Sequence, residues 1–245
     1  MSAPVDHDEF VWRLNEATPR TWVTPTLIAL NVAVWLLNVA SGLSPLSPSA
    51  VELAMWGGNH LPLTREQPWR LLSATFLHGG VLHLAFNMWA LRDTGRLAER
   101  FYGNWQLLLI YLVAGLAGSV ASLFFSARTG VSIGASGAIF GVVGCLLAAI
   151  FTKANKLPPG LVSSMRSSML GFVGFSLFMG FTAGFVDNAA HIGGLVAGFV
   201  MGMVLAEKFD VQEFRRQAPV RAAAAVALAA VALWGAWSML PVPVR

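Results

Sequence analysis

Charged residues are scarce in this chain. They make up 11% of its 245 residues, against about 25% in ordinary soluble domains, and the shortage excludes a soluble globular protein. Cysteine is scarcer still. The single Cys145 lies inside an apolar run, so no intrachain disulfide can form and cysteine usage carries no signal about compartment. There is no HExxH motif for zinc and no aspartate pair inside an apolar run, which disfavours zinc-dependent and aspartate-dyad chemistry. Internal repeats and mid-run charges are also missing, and a transporter would be expected to have them. No cofactor and no metal site are expected.

What the chain has instead is length in apolar runs. It is 56% hydrophobic, with a mean hydropathy of +0.65. A bilayer core of ~30 Å takes roughly 20 apolar residues per helix, and seven runs qualify as candidates: 24–40, 71–92, 105–126, 131–152, 169–186, 188–206 and 222–240. They leave no room for a separate soluble domain. The expected fold class is all-α, a polytopic membrane helix bundle. Residues 1–23 are expected to be a cytoplasmic lead-in, 24–206 to hold the first six spans, 207–221 to be a basic cytoplasmic linker and 222–245 to hold a seventh, C-terminal transmembrane helix. Asp6, Asp8, Glu9 and Glu16 make the first segment acidic, whereas cleaved signal and transit peptides want basic residues there, so no cleaved leader is expected.

The basic excess reads as topology. Placed alternately, the loops on the N-terminal side hold twelve lysines and arginines and the opposite loops hold four, Arg65, Arg70, Arg128 and Arg245. Basic loops stay in the cytoplasm, which sets the N-terminus inside. The pI near 9.8 is thereby explained without nucleic acid, and anionic lipid headgroups are the expected partners of the basic loops.

Some stretches are more than span. Phe10, Val11, Trp12, Leu14 and Trp22 give the lead-in an amphipathic character suited to the membrane interface. Residues 41–70 form a long external loop whose Leu53, Met55, Trp56, Leu61, Leu63 and Trp69 are too apolar for a solvated linker, so it is expected to pack on the bundle in the headgroup layer. In run two, His78-Gly79-Gly80 interrupts the apolar sequence. The helix is expected to start near Gly80, with 71–79 as the loop's return.

With the N-terminus inside, runs two, four and six all start at the external face, and their polar residues cluster at those starts: His83, Ser136 and His191, with Asn87 one turn deeper on the same face as His83. A serine hydroxyl needs a base to become a nucleophile, and histidine titrates in the right range. Ser136 is therefore the expected nucleophile and His191 its base. The Ser136 N–H, His83 and Asn87 are the expected donors to the oxyanion. No span interior contains an acid, so a Ser–His dyad is expected, with Asp187 the nearest carboxylate. Gly137 and Gly141 make one small-residue face and Gly194, Gly198 and Gly202 another, which would let the two helices approach closely. Each feature alone is common in membrane helices as plain packing. Their coincidence at one depth carries the catalytic reading.

These residues resemble the rhomboid family of intramembrane serine proteases. Gly134-Ala135-Ser136-Gly137, running on to Gly141, is similar to the family's GxSGxxxG; His83 to Asn87 is similar to its HxxxN; Ala190-His191, running on to Gly194 and Gly198, is similar to its AHxxG-type motif; and Trp69-Arg70 resembles its WR pair. The resemblance implies cleavage of transmembrane segments of membrane proteins near the external face, with water reaching Ser136 from that side. It also implies lateral substrate entry near Phe172, Phe175 and Phe178, and Arg70 anchoring the first loop in the headgroup layer. Phe140 stands where some members stack a tyrosine on the histidine, and run seven lies outside the six-helix core. The competing expectation is a catalytically silent relative that binds membrane clients; such relatives have typically lost the serine or histidine, which this chain keeps. The expected compartment is a bacterial inner membrane.

Overall fold

The computed structural model describes residues 6–125, 130–183 and 186–241, and their regular structure is helical apart from one isolated β-bridge between Asn59 and Ser132. In chain order the helices are α1 (His7–Ala17), α2 (Val23–Ala40), α3 (Ala50–Met55), α4 (Leu61–Glu66), α5 (Arg70–Ser73), α6 (Val81–Tyr102), α7 (Asn104–Phe125), α8 (Ser136–Thr152), α9 (Pro159–Ala183), α10 (Asn188–Val204) and α11 (Val211–Met239). By length and composition α2, α7, α9 and α11 can each cross a bilayer. The segment Arg70–Phe76 and α6 together make a fifth candidate, bent by 93°. The helices α8 and α10 are apolar but only 17 residues long. The chain is a multi-pass membrane protein.

The centre of the bundle is α8, buried along almost its whole length from Gly137 to Ile150. It packs between α7 and α10, with α6 and α9 also against it, while α2 lies outside on α6 and α7, and α11 outside on α7 and α10. Glycine sets the spacing. A methyl group added at Gly194 would stand 1.9 Å from the carbonyl oxygen of Gly137, one at Gly198 1.8 Å from that of Gly141, and one at Gly202 2.7 Å from that of Cys145. The seam expected between these helices is thus present. It extends to a third member, because a methyl at Gly118 of α7 would meet the Ala190 carbonyl oxygen at 2.7 Å.

Several boundaries differ from those expected. Helix α6 starts after Gly80, as its glycine pair suggests, but continues past residue 92 to Tyr102, so Arg92, Arg96 and Arg100 are helical and not in a loop. The bundle buries Gly95, Ala98 and Glu99 on the other face of that last stretch. Helix α9 begins at Pro159 instead of near 169, and α11 begins at Val211, inside the stretch expected to be a linker. An Asp210 cap starts α11: its side chain accepts from the Gln212 and Glu213 N–H groups, each at 2.9 Å.

The lead-in helix α1 also corrects an expectation. Phe10 and Leu14, four residues apart and so on one face, are buried in the protein and do not rest at the membrane interface; Val11, Trp12 and Trp22 remain exposed. Phe10 meets Phe101 and Phe209 at ring-centroid distances of 6.3 and 5.6 Å. Lys208 closes the joint, its ammonium donating to the Ala17 carbonyl at 2.7 Å and the Thr18 hydroxyl at 3.0 Å. Burial, reinforced by nearby Arg215, holds the Lys208 pKa below its ordinary value.

The start of α2 depends on a residue of α6. Glu99, fully buried, accepts from the Val23 N–H at 2.7 Å, the Thr24 N–H at 3.1 Å and the Thr24 hydroxyl. A carboxyl group at a helix N-terminus satisfies donors that no helical carbonyl can reach. Glu99→Ala is expected to lower stability by about 3 kcal/mol, read as a fall in the unfolding midpoint in mild detergent. An unchanged midpoint would show that water replaces the carboxyl group without loss.

Candidate active site

Ser136 is the first residue of α8 and is half-buried. The turn before it is set by Gly134, whose φ of +115° suits glycine alone and whose N–H donates to the Ala74 carbonyl at 2.9 Å. At a helix start the first-turn N–H groups lack helical acceptors, so the Ser136 amide is available to an anion near its own hydroxyl.

His83 faces the same turn from α6. Gly80, with φ +118°, starts that helix, and a side chain there would meet the Leu46 carbonyl oxygen at 2.0 Å. The Gly79 N–H donates to His83 Nδ1 at 3.2 Å. A neutral imidazole that accepts at Nδ1 carries its proton on Nε2. A methyl at Gly134 would lie 2.9 Å from His83 Nε2 and 3.8 Å from Ser136 Oγ, so the donor nitrogen and the hydroxyl border one small space. One turn on, buried Asn87 donates one amide hydrogen to the His83 carbonyl at 2.8 Å and keeps the second.

His191 comes from α10. It is buried, and its ring stacks on Phe140 of α8 with centroids 4.1 Å apart and planes 12° from parallel. Phe140 follows Ser136 by one turn, so the stack fixes the imidazole over the face of α8 that begins with the serine. The backbones beside the two residues also lie close. A methyl at Gly137, next to Ser136, would stand 3.3 Å from the carbonyl oxygen of Ala190, next to His191. Nδ1 of His191 is buried and has no hydrogen-bond partner among the described residues. Asp187 caps α10, accepting from the Ala190 N–H at 3.0 Å and from the Ser122 hydroxyl. Among the described residues no group of three histidines, cysteines or acids could hold a metal.

Ser136 and His83 therefore border one space beside Gly134, Asn87 is bonded to the His83 backbone one turn along α6, and the glycines at 137, 141, 194 and 198 bring the helices of Ser136 and His191 into contact. Trp69 and Arg70 do not join them. Arg70 is buried within the first loop, donating to the carbonyls of Ala54 and Gly58 and to the Gln67 side chain. It staples the loop to itself, with its guanidinium 4.9 Å from the centre of the exposed Trp69 ring. On α9, Phe175 and Phe178 are exposed, while Phe172 meets Phe140 at 5.4 Å. Sequence reasoning missed the weight of His78, which is buried and lies edge-on to His83 at 5.1 Å. Its place before Gly79-Gly80 was the available signal. It also missed Asn59, whose backbone pairs with Ser132 in both directions at 3.0 and 2.9 Å.

Comparison with known proteins gives the site a family context. A model of the Rhomboid domain matches residues 65–208. The chain is 34% identical over 210 residues to RHOMBOID-like protein 4 of Arabidopsis thaliana, covering 75% of this chain and 52% of that protein. It is 37% identical over 184 residues to Rhomboid protease GluP of Bacillus subtilis (strain 168), covering 74% of this chain and 34% of that protein. RHOMBOID-like protein 7 of Arabidopsis thaliana is 32% identical over 224 residues, covering 78% of this chain and 69% of that protein. The chain thus spans about half the length of the first of these relatives and a third of the second. The domain match takes in every residue of the candidate site and stops before α11.

Proposed function

Because the chain belongs to the rhomboid family, we propose that it is an intramembrane serine endopeptidase that cuts transmembrane segments of other membrane proteins near the external face. The observation that carries this reading is the glycine seam between α8 and α10, which holds the residue after Ser136 against the residue before His191.

In the proposed reaction the Ser136 hydroxyl attacks a peptide carbonyl of the substrate while the His191 ring takes the hydroxyl proton. The carbonyl oxygen becomes an anion and is met by the Ser136 N–H, His83 Nε2–H and the free hydrogen of the Asn87 amide. The fixed proton on His83 supports that role, because a donor needs no reorganisation when charge develops. Collapse breaks the carbon–nitrogen bond, and His191 returns the proton to the leaving amine. Water, deprotonated by the same ring, then releases the acyl group from Ser136. The Phe140 stack keeps the ring oriented through both steps.

Helix length supports the depth of the cut. The 17 residues of α8 rise about 25 Å, short of a ~30 Å hydrocarbon core. Lys153 and Lys156 mark its cytoplasmic end, so the shortfall falls at Ser136, which would lie below the external surface in reach of water. In this reading residues 24–206 are the six-helix protease core and α11 is a seventh span, with the N-terminus in the cytoplasm of a bacterial cell. Substrate would enter from the lipid beside α9, where Phe175 and Phe178 are exposed.

A fluorophosphonate probe tests the nucleophile directly, since the attacking oxygen displaces fluoride and stays bound to phosphorus. Peptide mapping is expected to find the label on Ser136 and its loss in His191→Ala. A label on another serine, or cleavage that the probe does not inhibit, would overturn the assignment.

A further inference from the structure

The seventh span has no part in the chemistry above, and the family domain match ends before it, yet its far end is fastened to the first loop. Arg65 of α4 donates to the carbonyl of Leu240, and its guanidinium lies 5.7 Å from the centre of the Trp237 ring. Around this contact sits an apolar cluster separate from the main core. Leu61 of α4, Leu123 of α7 and Leu240 are buried in it, with Leu71 and Trp237 packed against them. The end of α11 is therefore built into the loop.

Beside Arg65 in the chain, a set of hydrogen bonds leads from Thr64 to the segment that precedes Ser136. Thr64 is fully buried and donates to the Asn59 side chain at 2.9 Å. Asn59 also donates from its amide to the Ser119 carbonyl of α7 at 2.8 Å, and Ser119 donates to the Leu71 carbonyl at 2.8 Å. The Asn59 backbone then pairs with Ser132 in both directions. A methyl at Gly58 would stand 2.5 Å from the side chain of Val131, so the loop is pressed on that segment. Ser132 precedes by two residues the Gly134 turn that presents Ser136.

We infer that Arg65 is a positioning residue through which α11 clamps the first loop, and with it the 132–134 turn, so that Ser136 is held in its attacking position. The inference rests on the proposed role of Ser136. Arg65 touches neither substrate nor reacting atoms, so loosening it should affect the rate of attack and not substrate binding.

The test compares wild type with Arg65→Ala, Arg65→Lys and Trp237→Leu. It reads kcat and KM for a transmembrane substrate, the rate of fluorophosphonate labelling at Ser136, and amide hydrogen exchange at Ser132 and Gly134. Arg65→Ala is expected to lower kcat and labelling rate together by about tenfold, to leave KM within about twofold, and to speed exchange at both amides. Lysine keeps a cation beside Trp237 and a donor for the carbonyl, and should recover most of the loss. A merely structural role would lower the fraction of folded protein while leaving the labelling rate per folded molecule unchanged, and that result overturns the clamp. So does unchanged exchange in Arg65→Ala. If Arg65→Ala does not fold, Trp237→Leu carries the same expectations at smaller size. A wild-type chain that neither cleaves nor labels would defeat the protease reading instead, and the exchange measurement would then decide the clamp by itself.

Discussion

Ser136→Ala and His191→Ala are each expected to cut a transmembrane substrate at least about 10⁴-fold more slowly than wild type. The two changes remove different things. Without Ser136 the proposed attacking oxygen is gone, and water is the nucleophile that remains. Without His191 the hydroxyl is still present but must release its proton unaided, which at neutral pH it hardly does. A nucleophile and base that work as one unit, as proposed, make the double variant no slower than either single one. Independent contributions would instead multiply, so the cycle separates a dyad from two residues that matter for separate reasons.

Stability distinguishes these losses from misfolding. The Ser136 hydroxyl sits at a half-buried helix start, and its removal should leave the unfolding midpoint near that of wild type. His191→Ala gives up the Phe140 stack and opens a small cavity, so a fall of about 1–2 kcal/mol is expected there. Activity of Ser136→Ala within tenfold of wild type, measured on the same substrate in liposomes, would sink the mechanism.

What the sequence made legible was the family and the glycine setting of the candidate site, and the reason is local. Ser136, His83 and His191 each stand at a helix start, where glycine and interrupted hydropathy mark the boundary, and GxxxG spacing maps directly onto a helix face. Helix ends were less legible, because hydropathy reports lipid and not hydrogen bonding. Helix α6 runs beyond its apolar part to Tyr102 because Gly95, Ala98 and Glu99 turn to the bundle while Arg92 and Arg96 turn away. Helix α11 begins among charged residues and passes through Pro219, features that read as linker. The direction of the α1 apolar face was ambiguous in principle, since one spacing of Phe10 and Leu14 serves lipid and protein equally. The links that tie the loop to the site left no pattern at all. Arg65 finds a carbonyl at Leu240, and Asn59 pairs through its backbone with Ser132; a backbone acceptor has no side-chain signature.

Gly198→Val is expected to damage folding and catalysis together. The Cβ it introduces would lie 1.8 Å from the oxygen, 2.4 Å from the carbonyl carbon and 2.5 Å from the Cα of Gly141. All three atoms belong to the α8 backbone, so no rotamer change can clear them. The helices must part by roughly 1.5 Å to restore ordinary contact, and valine's branch adds to the demand. Overpacking of this kind costs about 3 kcal/mol. The same displacement moves His191 away from Ser136 and, at about 100-fold for an ångström of misplacement, removes most of the activity from the molecules that still fold. Gly235→Ala on α11 is the matched control, since nothing lies within 4 Å of the added methyl. It should keep full cleavage and gain up to about 1 kcal/mol from helix propensity. Unfolding midpoints and single-turnover cleavage of the two variants decide the matter: a Gly198→Val chain that melts and cuts like wild type would mean that the seam between α8 and α10 yields freely, and that something other than glycine spacing brings the base to the serine.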